Sequence, residues 1–448
     1  MIAEKKPEMR SFVAASENFP DGSDSPSAFL DRCVADIDRL DASVKAFVTI
    51  NRDAAIAAAK ESSARWTAGT QLSPIDGMPI GVKDIMETAD MPTGQGSPLF
   101  DGWLGHRDAA AVAALREAGA IMLGKTVTTE FASTHPGATC NPWDLQRTPG
   151  GSSSGSAASV GTGMVPAALG SQVIGSTIRP AAYCGAFGYK PSVGGINRGG
   201  SFDGFSQSCT GIIGASLAEC WLVTREITSR TGGDAGYVGV TGPMQLPASV
   251  TPKRIALLNT AGWASATDCA KEELKRGREL LEEAGIEVAE RGSDALVDDL
   301  ESAIADAMDL SMRINAWEGR WPLDTYSSDM DPSLLSASAQ GRLQQAFAMS
   351  QDEYSGLLVE RDRVRAVYAN LSQDFDACIT LSAPGAAPKG LEWTGDPMFT
   401  VPTSLVGMPS LSLPVLWDED LPLGLQVVGF TNEDANLFAV AGGILALF

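Results

Sequence analysis

The chain has 448 residues, 44% of them apolar and 20% charged, a balance that excludes intrinsic disorder and allows a large buried core. Lysine and arginine number 33 against 55 acidic residues, a formal charge of -22, so phosphate backbones are repelled over most of the surface and nucleic acid is excluded as a partner. Seven cysteines, an odd number without CxxC or CxxH spacing, read as reduced thiols in a cytoplasm-like compartment rather than as a disulfide framework or a metal site.

The opening segment, MIAEKKPEMRSFVAASENF, has no apolar run of signal length. No stretch reaches the roughly 18 continuous apolar residues of a membrane span, so a soluble, unexported, cytoplasmic protein is expected. Residues 26–70 predict two helices: SPSAFLDRCVADIDRLDASV has a Ser/Asp-rich start and apolar residues at helical spacing, and RDAAIAAAKESSARW is alanine-rich and amphipathic. GMPIGVKDI (77–85) is a short apolar run bounded by glycine, the pattern of a buried strand. DAAAVAALREAG (108–119) then predicts a helix ending on glycine, and AIMLGKT returns at once as a strand.

Between 148 and 200 glycine and serine dominate, small residues that let backbone approach backbone or a ligand closely. Residues 265–371 change character to charged, amphipathic helices, among them AKEELKRGRELLEEAG and EYSGLLVERDRVRAVYANL. Short apolar segments, DACITL and GLQVVGF, return at the end of the chain. No repeat and no linker divides the chain, which predicts a single large α/β unit with a helical insertion.

Two motifs promise more than their context supports. Gly119 to Thr126, GAIMLGKT, satisfies the Walker A pattern, but a helix precedes it and Ala-Ile-Met-Leu is itself the strand, so a helix-strand connection is the expected reading. GSSSG, Gly151 to Gly155, matches the nucleophile-elbow pattern around Ser153, a mechanism that needs a histidine later in the chain. Only His106 and His135 exist and both precede it, so they read as turn or helix-start residues and the elbow fails. Without histidine, a lysine can be the base of acyl transfer if burial lowers its pKa. Lys83, after the apolar Met78 to Val82, is the candidate; the competing reading is a strand-end lysine with its amine in water.

The remaining motifs weigh on that choice. GMPIGVKD (77–84), LGKTVTTEFA (123–132), NPWD (141–144), PGGSSSGSAASVGTG (149–163), ALGSQVIGSTIRPAAYCGAFGYKPS (168–192), FTVPTSLVGMPSLSLP (399–414) and LPLGLQVVG (421–429) together closely resemble the amidase signature family of serine hydrolases, in order and across most of the chain. The resemblance implies an α/β/α fold around a large mixed sheet, with residues 1–70 as N-terminal helices, 71–222 as the signature core, 223–375 as a variable helical substrate cap and 376–448 as a C-terminal core segment. It implies a Lys-Ser-Ser triad: Lys83 as base, Ser152 as a serine after a cis peptide bond, and Ser176 as nucleophile. The backbone N–H groups of Val173, Ile174, Gly175 and Ser176 become the oxyanion hole, with Gly151, Ser153, Gln172 and Arg179 in support. No metal or organic cofactor is implied.

A neutral Lys83 at pH 7 requires roughly 4.6 kcal/mol against a reference pKa of about 10.4, which burial must largely supply. The chain also departs from the family's usual Gly-Thr-Asp-Thr-Gly-Gly-Ser-Ile-Arg. Gln172 stands for an acid, Ile174 for a glycine whose φ a β-branched residue should avoid when positive, and Arg179 lies one place nearer Pro180. Substrate choice is expected in Thr128 and its neighbours, in 384–402, and in 300–340 with Arg313, Trp317 and Trp321; for the two tryptophans, at i,i+4, core packing is the competing reading. The expected partner is a small-molecule amide, aryl amide or carbamate (urethane), met by a monomer or homodimer with no nucleic acid and no membrane. The alternatives are the ammonia-releasing, glutamine-dependent subunit of a tRNA amidotransferase and, more distantly, a nucleotide binder using Gly119 to Thr126.

Overall fold

Short apolar runs bounded by glycine and proline become strands of one sheet in the computed structural model, which describes residues 6–448; the first residues of the N-terminal segment read above, 1–5, lie outside the described residues. The strands are β1 (Phe47–Ile50), β2 (Pro79–Lys83), β3 (Ile121–Thr126), β4 (Ala167–Gln172), β5 (Phe187–Lys190), β6 (Cys209–Gly214), β7 (Arg254–Leu257), β8 (Glu287–Ala289), β9 (Ala377–Leu381), β10 (Ser410–Asp418) and β11 (Leu421–Val428). Their spatial order is β1-β3-β2-β4-β6-β5-β10-β11-β9-β7-β8. The sheet is mixed: β2 runs parallel to both β3 and β4, β4 is antiparallel to β6, and β10 and β11 form an antiparallel pair. Strands β2, β3, β4, β6 and β9 are buried at every position, because helices cover both faces. This is why they read as continuous apolar or small-residue runs without alternation.

The helices predicted over 26–70 are Pro26–Val44 and Arg52–Ala68. Ser25 caps the first by accepting from Ala28 N, and Phe29, Leu30, Cys33 and Ile37 turn its apolar stripe inward. The sequence reading placed no strand between them, yet β1 lies there, antiparallel to β3; four residues of mixed burial at a sheet edge carry too little pattern to be seen. The 108–119 helix is Ala110–Glu117, and Gly119 turns the chain at φ 85° where a Cβ would strike Asp76. Strand β3 follows directly, so Gly119 to Thr126 forms no phosphate loop, and Lys125 within it is buried against Asp84 at 2.9 Å.

The charged stretch forms helices Asp268–Glu283, Ala295–Ala303, Ala307–Asp329, Ala337–Phe347 and Gln351–Ala369. It also contributes β8, which pairs in parallel with β7 just before the stretch, and β7 pairs in parallel with β9, so the insertion is stitched into the sheet. The glycine-serine segment forms helix Ser154–Gly161, buried at every residue, which packs beside the equally buried helix Ile178–Cys184. Small side chains are what permit this approach. A Cβ on Gly155 would lie 2.1 Å from Ala46 O and 2.4 Å from Val127 N, and one on Gly161 would lie 2.3 Å from Cys184 O. No helix among the described residues is long and apolar enough to cross a membrane.

This packing makes Gly155 intolerant of one added methyl group. Gly155→Ala is expected to lower unfolding free energy by about 1–3 kcal/mol through overpacking, read as an earlier midpoint in urea; a midpoint equal to wild type would contradict the tight contact.

Candidate active site

Lys83 is the last residue of β2, flanked on both sides by parallel strands and fully buried. Its Nζ donates to Ser152 Oγ at 2.6 Å and to Ser171 Oγ at 2.8 Å. Among the described residues it has no carboxylate in ion-pair contact. Burial therefore dominates and pulls the amine down to about 7, while the charge of Asp203 works weakly the other way. The neighbouring strand offers a control: Lys125 on β3 is as buried, but sits 2.9 Å from Asp84 Oδ1 and donates to Thr93 Oγ1 and Pro92 O. Burial lowers the pKa of Lys125 too, but there the Asp84 carboxylate opposes the shift, whereas Lys83 faces hydroxyl groups that suit either protonation state.

Ser152 follows a cis peptide bond from Gly151. Its carbonyl accepts from Thr129 N at 3.2 Å, Gly151 O accepts from Arg179 Nη2 at 2.8 Å, and Ser153 N donates to Ser176 O at 3.2 Å. These bonds draw the 151–153 and 176–179 segments together. Gly151 is required by proximity, since a Cβ there would lie 2.6 Å from Thr394 Cγ2. Ser153 faces away from the chemistry: its Oγ accepts from Ser171 N and donates to Ser171 O, bracing β4. Ser176 is 5% exposed and borders a cavity of about 180 Å³. Among the described residues its Oγ makes no hydrogen bond, so a Ser152–Ser176 contact is not formed in this state.

The segment from 173 to 176 precedes helix Ile178–Cys184, where backbone N–H groups lack helical partners. Gln172 divides them. Its Oε1 accepts from Thr177 N and Ile178 N, each at 2.9 Å, and its Nε2 donates to Ser404 Oγ at 3.0 Å. Among the described residues the N–H groups of Val173, Ile174, Gly175 and Ser176 donate to no group of the chain. Ile174 is absent from the residues with positive φ, so its β-branch is accommodated without strain. Gly175 is needed for contact, as a Cβ would lie 2.2 Å from Thr400 Oγ1.

Arg179 is buried; its Nε donates to Thr394 O and its Nη2 to Gly151 O and Thr394 Oγ1, while Nη1 has no hydrogen-bond partner among the described residues. With Phe131, Asn315, Arg342 and Trp393 it lines the cavity at Ser176. The 384–402 stretch therefore reaches this cavity through Trp393, Thr394, Gly395 and Pro397. Thr128 and Arg313 line neither this cavity nor its neighbour. Thr128 is buried, and Arg313 faces outward toward Asp309 while Met312 takes the inward position beside it. Trp317 stacks on Tyr354 with centroids 5.4 Å apart, a packing role. Trp321 borders the neighbouring cavity and is 73% exposed. Residues at the site that escaped the sequence reading include Ser171, Asp203 and Arg342. Ser171 sat within the quoted motif, but nothing local marked the other two. A third cavity, of about 270 Å³ between residues 6–10 and helix Pro26–Val44, borders none of the candidate residues.

Residues 28–438 match the family described as Amidase. The chain is 31% identical, over 93% of its length and 92% of the relative's, to a glutamyl-tRNA(Gln) amidotransferase subunit from Anaeromyxobacter sp. (strain K). It superposes on a crystal structure of an amidase with a TM-score of 0.84 and 25% identity, covering 98% of this chain and 99% of that one. The native peptide amidase of Stenotrophomonas maltophilia shares the fold, with a TM-score of 0.78 at 22% identity over 97% of this chain and 96% of that one. With the buried lysine, the serines beside it and the mixed sheet that carries them, this match places the chain in the amidase family of enzymes acting on C–N bonds.

Proposed function

We propose that the protein hydrolyses an amide or carbamate through an acyl-enzyme on Ser176, with Lys83 as base and Ser152 as relay. The observation that carries this reading is a fully buried Lys83 held 2.6 Å from Ser152 Oγ with its pKa brought to about 7, a base poised near neutral pH. Neutral Nζ accepts the Ser152 proton as Ser152 Oγ accepts that of Ser176. Ser176 Oγ then attacks the carbonyl carbon, and the N–H groups of 173–176 receive the negative oxygen. The C–N bond breaks as the proton returns through Ser152 to the leaving nitrogen, and water repeats the sequence to release the acid. The chemistry requires no cofactor. In this reading residues 71–222 and 376–448 carry the catalytic frame, and the described part of 1–70 adds helices Pro26–Val44 and Arg52–Ala68 and the edge strand β1. Residues 223–375 form the cap, which supplies Met312, Asn315 and Arg342 to the cavity.

The names of the sequence relatives support a second reading, an ammonia-releasing component of a tRNA-dependent amidotransferase that draws on glutamine within a complex. Purified chain that hydrolyses neutral aryl amides unaided favours the first reading; turnover of glutamine alone, and only with partner proteins, favours the second.

Ser176→Ala is expected to abolish labelling by a fluorophosphonate, and Lys83→Ala and Ser152→Ala to slow it about 10²–10⁴-fold; full labelling of Ser176→Ala would overturn the assignment. The amine also sets a pH limb. Below about 7 Lys83 is protonated and cannot accept, so kcat/KM should fall about tenfold per pH unit there and level off above. Because Asp203 favours the ammonium, Asp203→Asn should move the midpoint to lower pH. A wild-type profile falling above pH 7 in folded protein would rule out Lys83 as the base.

A further inference from the structure

The cavity at Ser176 adjoins a second one, and Phe131, Phe205 and Arg342 border both. The second holds about 230 Å³ and is walled by the rings of Phe131, Phe202, Phe205, Trp321 and Tyr326. An apolar cavity of about 150 Å³ accepts benzene, so this one has room for a substituted ring. Its walls are set in place. Phe131 and Tyr326 lie 5.1 Å apart between centroids, and Phe100 meets both edge-on at 6.2 and 5.1 Å. Glu318, from helix Ala307–Asp329, accepts from Ser206 N at 2.7 Å and Tyr354 OH at 2.8 Å, while Arg361 Nη1 donates to Ser206 Oγ at 2.6 Å. The loop bearing Phe202 and Phe205 is thereby clamped between two helices. Gln95 and Phe131 both have left-handed backbones, φ 53° and 49°, and Phe131 N donates to Gln95 O at 2.8 Å. Such conformations persist in residues other than glycine where surrounding structure enforces them.

The polar atoms left unpartnered at this second cavity share one sign. They are Arg342 Nε and Nη2 and Gln95 Nε2, all donors out of contact with water. Among the described residues Arg342 has no hydrogen bond and no ion pair. The Glu130 carboxylate acts on it only through space, being bonded to Ser336 N and Oγ and to Ser97 Oγ. Gln95 stands beside the Tyr326 hydroxyl, yet its Nε2 completes no hydrogen bond of normal geometry. An aliphatic chain would fill the space and leave these donors unpaired; a ring alone would do the same. A ring with an acceptor at its edge satisfies both features.

We propose that this second cavity is a substrate subsite for an aromatic ring bearing a hydrogen-bond acceptor, a carboxylate or carbonyl, with Arg342 as its specificity residue. The inference rests on the reading of Ser176 as the reacting group and narrows the substrate to aryl amides or carbamates carrying that acceptor.

Calorimetric binding to the Ser176→Ala protein tests the subsite without turnover. The ligands are 4-carboxyacetanilide, acetanilide and the 4-carboxycyclohexyl analogue, with the corresponding benzamides covering the opposite orientation about the amide. In at least one series the carboxylated aryl compound should bind tenfold or more tightly than both controls, and Arg342→Met should erase its advantage over the unsubstituted ring. Equal binding of aryl and cyclohexyl acids, or a preference that survives in Arg342→Met protein of native circular dichroism, overturns the proposal. The comparison among ligands decides the matter even if Arg342→Met fails to fold. Failure of wild-type labelling by a fluorophosphonate would instead strike the reading of Ser176, leaving the binding result to stand on its own.

Discussion

The site depends on an amine kept out of water without an acid beside it. Lys83 ends β2 at a point where β3, β4 and the small-residue helix Ser154–Gly161 close around it, and desolvation of the ammonium is the largest influence on its pKa. A nearby carboxylate would oppose that effect, as Asp84 does in part for Lys125, whose pKa burial still lowers. Hydroxyl partners avoid this: Ser152 and Ser171 offer oxygen to an ammonium and a proton to an amine. The glycine-rich sequence around 150–163 follows from the same requirement, because only a helix of small residues can lie close enough to β2 and β3 to exclude water from the lysine.

A second constraint is the division of backbone donors before helix Ile178–Cys184. Without Gln172 the N–H groups of Thr177 and Ile178 would compete for any acceptor near Ser176; with it they are occupied, and those of 173–176 are left for the cavity. Glutamine does this without charge. An acid at this position would place a negative group near the oxygen that becomes negative in the tetrahedral intermediate, and would lose the donor to Ser404. The departure from the family's usual residue therefore holds the Thr177 and Ile178 N–H groups with a neutral side chain.

What could be read from the sequence divides along the same lines. β2 and β3 were legible because both are continuous apolar runs punctuated by glycine, and the insertion's helices because charge and apolar residues alternate at helical spacing. The assignment of Lys83, Ser152 and Ser176 came from motif resemblance, since a separation of 69 positions hides the proximity of Lys83 to Ser152. Arg342 lies just past the 300–340 stretch in which substrate choice was expected, and its Nε and Nη2 are buried where helix Ala337–Phe347 packs on Ala307–Asp329. Arg313 was misread for a different reason. Near 312–315 one step along a helix turns a side chain about 100°, so Met312 and Asn315 face the cavity while Arg313 faces out.

Chemistry and selectivity thus rest on parts of the fold with different freedom to change. Lys83 and Ser171 are on central strands whose every position is buried, with Ser152 and Ser176 tied to them by hydrogen bonds through backbone and side chain. Substitution there disturbs packing as well as reactivity. The residues facing the two cavities come from the loop at Phe131, the loop at 202–206, the helices spanning 307–347 and the stretch near 393–397, segments held mainly by side-chain bonds at their edges. Altering Arg342 or a ring of the aromatic wall leaves the sheet and its lysine untouched, so one catalytic frame can serve different amides by changing what the insertion presents to it. The relatives' differing names fit the proposed arrangement, in which a shared frame would fix the bond that is attacked and the cap would decide which molecule carries it.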